Sequence, residues 1–301
     1  MQGASSYLRL KSPAAIPIPH LLLILLTSKM AHGPIPHYDS VLKSHGFLNP
    51  NDPVAISFWI ISISMVASTV FFLMESMAVG GHWKTSMNVG SLVTLVAAVH
   101  YFYMREFWVQ IGTSPILYRY IDWSITVPLQ MIEFYLILSA VKSDLSQGMF
   151  WRLLLGTVAM LTFGYAGETQ TVSPMAGFVL GMSGWGFILF EIFAGEAGKV
   201  AGTGVSENVK ASFGTMRFIV SVGWSIYPLG YLFGYLLGAV DETFLNVIYN
   251  IADFVNKIAF CLAISMFACP DMIITGVSLF LDFICERSSI PSLSPLSNLT
   301  S

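Results

Sequence analysis

Charge is what this sequence is short of. Only 10% of its 301 residues are Asp, Glu, Lys or Arg, where a soluble domain carries roughly 25%, so a water-solvated surface around the whole chain is excluded. An excess of either sign is missing too. With 14 Lys and Arg against 17 Asp and Glu, there is no basic footprint for nucleic acid and no acidic tail. Cysteine is scarce: Cys261, Cys269 and Cys285 lie in or after the last apolar segment, without the spacing of a disulfide framework or a zinc site, and read as packing residues. What fills the sequence is apolar, 55% of residues with a mean hydropathy of +0.70. The solvent that tolerates such a surface is lipid.

A helical crossing takes about 20 apolar residues. Seven segments fit, at roughly 54–75, 86–105, 115–139, 149–166, 174–194, 213–238 and 244–269. Gly80, Gly81 and His82, then Ser143, Asp144, Gln147 and Gly148, then Gly195 to Ser212 read as connections. The predicted fold class is an all-α membrane protein, a seven-transmembrane-helix bundle. Lys84, Lys142, Arg152, Lys199, Lys210 and Arg217 border the 1–2, 3–4 and 5–6 connections, against Arg105 on the other side. The positive-inside rule then puts the N-terminus outside and the C-terminus in the cytoplasm.

Residues 1–33 read as a signal or targeting segment, with Arg9 and Lys11 before an apolar run from Ile16 to Leu26 and Ala31 and Gly33 as a small-residue exit. Pro17, Pro19 and His20 interrupt that run, and Met30 offers an internal start. Residues 34–53 form an extracellular segment, 54–269 the seven-helix domain and 270–301 a Ser/Pro-rich cytoplasmic tail expected to be disordered. On such a tail the Asn298 sequon goes unused.

An ionised group at the middle of a membrane helix costs about 2.5 kcal/mol or more, which makes each one a functional candidate. Lys257 sits near the centre of the seventh segment, with Asp253 four residues earlier on the same face. A buried ion pair is the structural alternative; the functional one is an amine that forms an imine with an aldehyde cofactor. In the third segment Asp122, Thr126, Gln130 and Glu133 fall at helical angles of about 0°, 40°, 80° and 20°, one stripe, with the two carboxyls about 16 Å apart along the axis. Polar glue between helices accounts for Thr126 and Gln130 more readily than for two carboxyls. Trp224, Tyr227 and Pro228 share a face of the sixth segment, where the proline would kink the helix. With Trp123 and Trp185 they could wall a flat apolar slot for a conjugated polyene. His100, near the end of the second segment, is a candidate partner for Asp122.

At these residues the chain resembles the microbial rhodopsins, and within them the proteorhodopsins, over about residues 54–269. Arg119-Tyr-Ile-Asp-Trp123 with Thr126, Pro128 and Glu133, Gly223-Trp-Ser-Ile-Tyr-Pro228, and Tyr249-Asn-Ile-Ala-Asp-Phe-Val-Asn-Lys257 carry the resemblance. It implies all-trans retinal held on Lys257 as a protonated Schiff base, Asp122 and Asp253 as counterions, with Asp122 the proton acceptor, and Glu133 as the proton donor. Trp123, Gln130, Trp185, Trp224, Tyr227, Pro228 and Tyr249 would line the pigment. It also implies that His100 hydrogen-bonds the counterion and that Trp59 meets that histidine across protomers, in a homo-oligomer of five or six copies. Phe178 stands where carotenoid-carrying relatives have a glycine window, which argues against an antenna pigment. Gln130 marks blue rather than green absorption.

The function so implied is a light-driven outward proton pump, a transporter rather than an enzyme, whose partners are retinal, protons and the bilayer. A sensory photoreceptor of the same fold is the chief rival, and Glu133 separates them, because a sensor gains nothing from a fast proton donor. A light-gated channel would want carboxylates along the second helix, and Thr85 to Met104 has none. Sodium and chloride pumps replace the acid at position 122. A retinal carrier or light screen without a transport cycle is a third alternative.

Overall fold

Helix starts are written into this chain by short polar side chains and prolines. In the computed structural model, which describes residues 47–268 apart from 143 and 204, Asp52 accepts a hydrogen bond from the Ala55 amide at 2.9 Å ahead of Pro53. Ser146, Ser173, Ser206 and Asp241 cap later helices in the same way. Each satisfies a backbone donor that the first turn leaves without an intrahelical partner. In lipid an unsatisfied donor costs more than in water.

The seven expected crossings are all present as helical spans: Pro53–Ala78, Trp83–Ile111, Ile116–Ser139, Gln147–Glu168, Pro174–Gly202, Glu207–Leu236 and Glu242–Ser265. Among the described residues there is no strand. The first span packs on the second, the second on the third, the third on the fourth, the fourth on the fifth, and the seventh closes against the first and sixth. Ile60, Ile63, Val70 and Met74 stay exposed along the first span, an outward apolar face that suits hydrocarbon and not water.

Three boundaries differ from the sequence reading. Gly81 already belongs to the second helix, so Val79 and Gly80 alone make the first connection. The second helix runs on past Arg105 to Ile111, supported by the Gln110 amide on Glu106 four residues back. It ends where Gly112 turns left-handed at φ +76°. His100 therefore lies about three turns inside this helix, half-buried, and not near its end. The long fifth connection shrinks to residues 203–206, because Glu196–Gly202 is helical, with Glu196 in its first turn and Lys199 in its last, matching the helix dipole.

The fourth and fifth spans approach at backbone distance. A Cβ on Gly184 would stand 2.6 Å from the Met160 nitrogen, and one on Gly177 would stand 2.9 Å from the Gly167 nitrogen. Small residues here do what they do between membrane helices generally, letting backbones touch. The sixth span is not a simple kinked helix. It contains two π-helical turns, Ile219–Gly223 and Leu232–Leu236, where the Trp224 amide reaches the Ile219 carbonyl and Leu237 reaches Leu232. The seventh span has a π-helical turn at Val255–Ala259, which contains Lys257. Such turns shift side chains out of α register.

Residues 1–33, most of the 34–53 segment, and the 270–301 tail with Cys285 lie outside the described residues, as does Cys269. Cys261 is buried, as a packing residue would be.

Candidate functional site

Lys257 is 2% exposed and its Nζ lies between two carboxylates. It contacts Asp122 Oδ2 across the bundle and Asp253 Oδ2, one turn back on its own helix, at 3.0 Å. The helical spacing of 253 and 257 survives because the π-helical turn begins only at Val255. Both carboxylates are fully buried.

The two acids differ in how they are held. Asp253 accepts from Tyr101 Oη at 2.7 Å, from Tyr227 Oη at 2.5 Å, and from Trp123 Nε1 at 3.3 Å. Three donors from three other helices converge on it, the kind of hydrogen bonding that suits a carboxylate. Asp122 has no such cage: Oδ2 meets Lys257, and Oδ1 has no hydrogen-bond partner among the described residues. Thr126 bonds the Asp122 backbone carbonyl at 3.0 Å instead of its carboxylate. Of the two, Asp122 is the more loosely held.

Arg119, 2% exposed, supplies the second buried cation of the cluster. Its Nη2 donates to Asn246 Oδ1 at 2.9 Å and Asn250 Oδ1 at 3.2 Å, and its guanidinium lies over Phe58, Trp123 and Tyr249. Two cations and two carboxylates cancel, which is the condition for burying four charges together.

Beside this cluster is a cavity of about 830 Å³ with Lys257 and Asp253 in its wall. Trp123, Gln130, Trp185, Trp224, Tyr227, Pro228 and Tyr249 all line it. Trp123 meets the Tyr227 ring edge-on at 5.2 Å. Trp185 Nε1 donates to the Val220 carbonyl at 3.1 Å, pinning the indole to the π-helical turn of the sixth span. That turn frees a carbonyl for the bond. Gln130 Nε2 donates to the Asn256 carbonyl at 3.1 Å.

Glu133 stands apart from all this, 1% exposed and with neither oxygen hydrogen-bonded among the described residues; the Ser86 hydroxyl of the second helix is a polar group facing it. No group of His, Cys, Asp or Glu among the described residues could hold a metal.

The bacteriorhodopsin-like protein model matches residues 52–269. The chain belongs to that family. It is 44% identical over 245 residues to the blue-light absorbing proteorhodopsin of Gamma-proteobacterium Hot 75m4, covering 81% of this chain and 94% of that one. It is 46% identical over 220 residues to the green-light absorbing proteorhodopsin of Gamma-proteobacterium EBAC31A08, covering 73% and 88%. The crystal structure of the blue light-absorbing proteorhodopsin from Med12 matches with a TM-score of 0.64 at 44% identity, over 73% of this chain and 100% of that one. Xanthorhodopsin, at 24% identity and a TM-score of 0.66, shares the fold.

The chain is thus a microbial rhodopsin resembling proteorhodopsins, and family membership implies a retinal chromophore. Not every expected contact is formed. The His100 ring bonds the Val96 carbonyl at 2.9 Å through Nδ1, and no hydrogen bond joins it to Asp122. Arg119 entered the sequence reading only as part of a motif, although its position three residues before Asp122 marks it as an intramembrane charge. Glu168 was missed because the fourth helix was ended at 166. It is a cavity-lining carboxyl that accepts from Tyr120 Oη at 2.7 Å. Tyr101 carried no signal beyond being a polar residue in an apolar segment, and Asn250 entered only as part of a motif.

Proposed function

We propose that this rhodopsin is a light-driven outward proton pump working with all-trans retinal bound covalently to Lys257. The observation that carries the reading is the position of Lys257 Nζ, between one caged carboxylate and one loosely held one, at an aromatic-walled cavity. Its Trp and Tyr walls suit a conjugated chain. When bound, retinal supplies visible absorption and a photoisomerisation that turns the N–H of the lysine nitrogen.

The protein's part is proton traffic. Asp253, with three donors, stays the fixed anion, and Asp122 takes the proton. Arg119, whose guanidinium lies over the Trp123 ring that also bonds Asp253, adds a second buried cation nearby. Glu133, about 16 Å away along the third helix in surroundings without a cation, holds a proton and returns it to the nitrogen from the other side. Export of one charge against 100 mV costs about 2.3 kcal/mol and each unit of pH gradient adds about 1.36 kcal/mol. Only a light-driven cycle sustains that.

Glu133 also favours pumping over the sensory alternative. Gln130, in the cavity wall, favours a blue-absorbing pigment. Phe178, also in that wall, packs on Tyr231 at 5.6 Å, and a large side chain at this position argues against an antenna pigment. Trp59 and His100 are both half-buried in the single chain, which suits contacts between copies in a ring of five or six. The basic residues around the 1–2, 3–4 and 5–6 connections favour an N-terminus outside and a C-terminus in the cytoplasm.

The test is to express the full chain with retinal in cells that make no rhodopsin and record external pH under illumination. Acidification that an uncoupler abolishes supports the pump. A formed pigment with no light-dependent pH change overturns it.

A further inference from the structure

A second cavity, of about 290 Å³, lies between the ends of the fifth and sixth spans, far along the chain from Lys257, and it is lined by Gly198, Ala201, Gly202, Lys210, Phe213 and Arg217. We propose that it binds the phosphate headgroup of an anionic membrane lipid. The cations come first. Arg217 has no carboxylate and no side-chain hydrogen bond among the described residues. Its guanidinium lies over Phe193 at 4.5 Å and Phe213 at 6.0 Å. Ring stacking occupies the face of the group and leaves its N–H edge, which is the edge that grips phosphate with paired hydrogen bonds. Lys210 has only Glu207 at 3.7 Å, both largely exposed, a pairing worth little in water. The cavity therefore carries a net positive charge, with Arg217 unpaired among the described residues.

Its floor is small. Gly198, Ala201 and Gly202 offer nothing larger than a methyl group, so a phosphate can come close to the backbone. The setting selects a lipid over a free anion: Phe193 is 50% exposed and Phe218 61% exposed beside the cavity, on a span surface that faces hydrocarbon. A headgroup seated on Arg217 and Lys210 would lay its acyl chain along these rings. The cavity also opens at the membrane face that carries Lys84, Lys142 and Lys199, and basic pockets between helices at such a face bind anionic headgroups.

The test uses the full-length pigment in discs of phosphatidylcholine with phosphatidylglycerol mixed in, and native mass spectrometry to count retained lipids. Neither cation lines the retinal cavity, so Lys210→Gln/Arg217→Gln should form pigment at an unchanged absorption maximum. It should lose preference for phosphatidylglycerol by about twenty-fivefold, about fivefold for each charge. Equal retention by parent and double variant overturns the proposal. So does inorganic phosphate that binds the parent in pure phosphatidylcholine discs as well as the lipid does. Should the double variant make no pigment, Lys210→Gln alone changes an exposed side chain, and its retention should fall about fivefold; unchanged retention there overturns the proposal as well.

Discussion

The side-chain amide of Gln130 donates to the main-chain carbonyl of Asn256, the residue before Lys257, at 3.1 Å. Gln130 is thus both a tie between the third and seventh helices and part of the cavity wall. The two roles that its sequence position suggested, helix glue and spectral tuning, are not exclusive. The bond fixes the amide dipole one residue from Lys257, and with retinal on that lysine a fixed dipole that favours positive charge at the nitrogen would widen the excitation gap. Gln130→Leu should move the absorption maximum of the purified pigment to the red with pumping retained. An unchanged maximum would mean that the amide only ties helices.

Lys257→Ala should leave a protein with no visible absorbance. Lys257 is the cavity's only amine among its lining residues, and removing it also leaves Asp122 and Asp253 without their shared cation. Two buried carboxylates stripped of the cation that contacts both repel, so the apoprotein should be less stable to heat, by about 3 kcal/mol from the cost of breaking buried pairs. A hydrolysable retinal adduct in this variant would sink the Lys257 assignment.

Asp122→Asn should form a red-shifted pigment that does not pump. The caged Asp253 remains as counterion, so a cation on the lysine nitrogen is still balanced, but nothing is left to accept its proton. In the parent, acid should reproduce that colour as protons neutralise Asp122, and alkali should restore it. Titration of the parent and variant absorbance checks both halves. An acid-induced red shift that persists in Asp122→Asn would assign the transition to another carboxyl.

Much of this site was legible because charge is so rare in the chain. Lys257, Asp253, Asp122 and Glu133 stand out of apolar runs, and helical spacing alone puts 253 beside 257 and aligns 122 with 133. Helix spacing could not reveal which of the two aspartates is caged, since Tyr101, Trp123 and Tyr227 come from three other helices. Nor could it reveal the π-helical turns, which depend on where Trp185 and Asn256 take carbonyls from the sixth span. The bond expected between His100 and Asp122 fails for a local reason: the ring is held by the carbonyl of Val96, one turn back.

Arg152 should matter to stability although it lies far from the cavity. From the fourth span it reaches Glu191 on the fifth at 2.8 Å and Glu196 at 2.7 Å. The Glu191 side chain is 3% exposed, while that of Arg152 is 37% exposed. Arg152→Gln strands a buried carboxylate, which in a fully buried pair costs about 3–5 kcal/mol; partial exposure reduces this to about 1–3 kcal/mol. Thermal bleaching should therefore come earlier, and Glu191→Gln in the same background should recover part of the loss. Identical bleaching in parent and Arg152→Gln would show that the pair contributes nothing.

Glu133→Gln should leave colour intact and slow the return of the proton to the lysine nitrogen. Glu133 is outside the cavity wall and makes no hydrogen bond that an amide would break, so the pigment should assemble as in the parent. A glutamine has no proton to give at any accessible pH. Recovery must then draw on protons from solution, so its rate should fall about tenfold for each unit of rising pH, where a resident donor makes the parent far less sensitive. A small permeant acid such as azide should restore part of the rate. The measurement is the absorbance recovery after a flash, followed across pH in both proteins. Equal recovery rates with the same pH profile would move the donor role to a different residue.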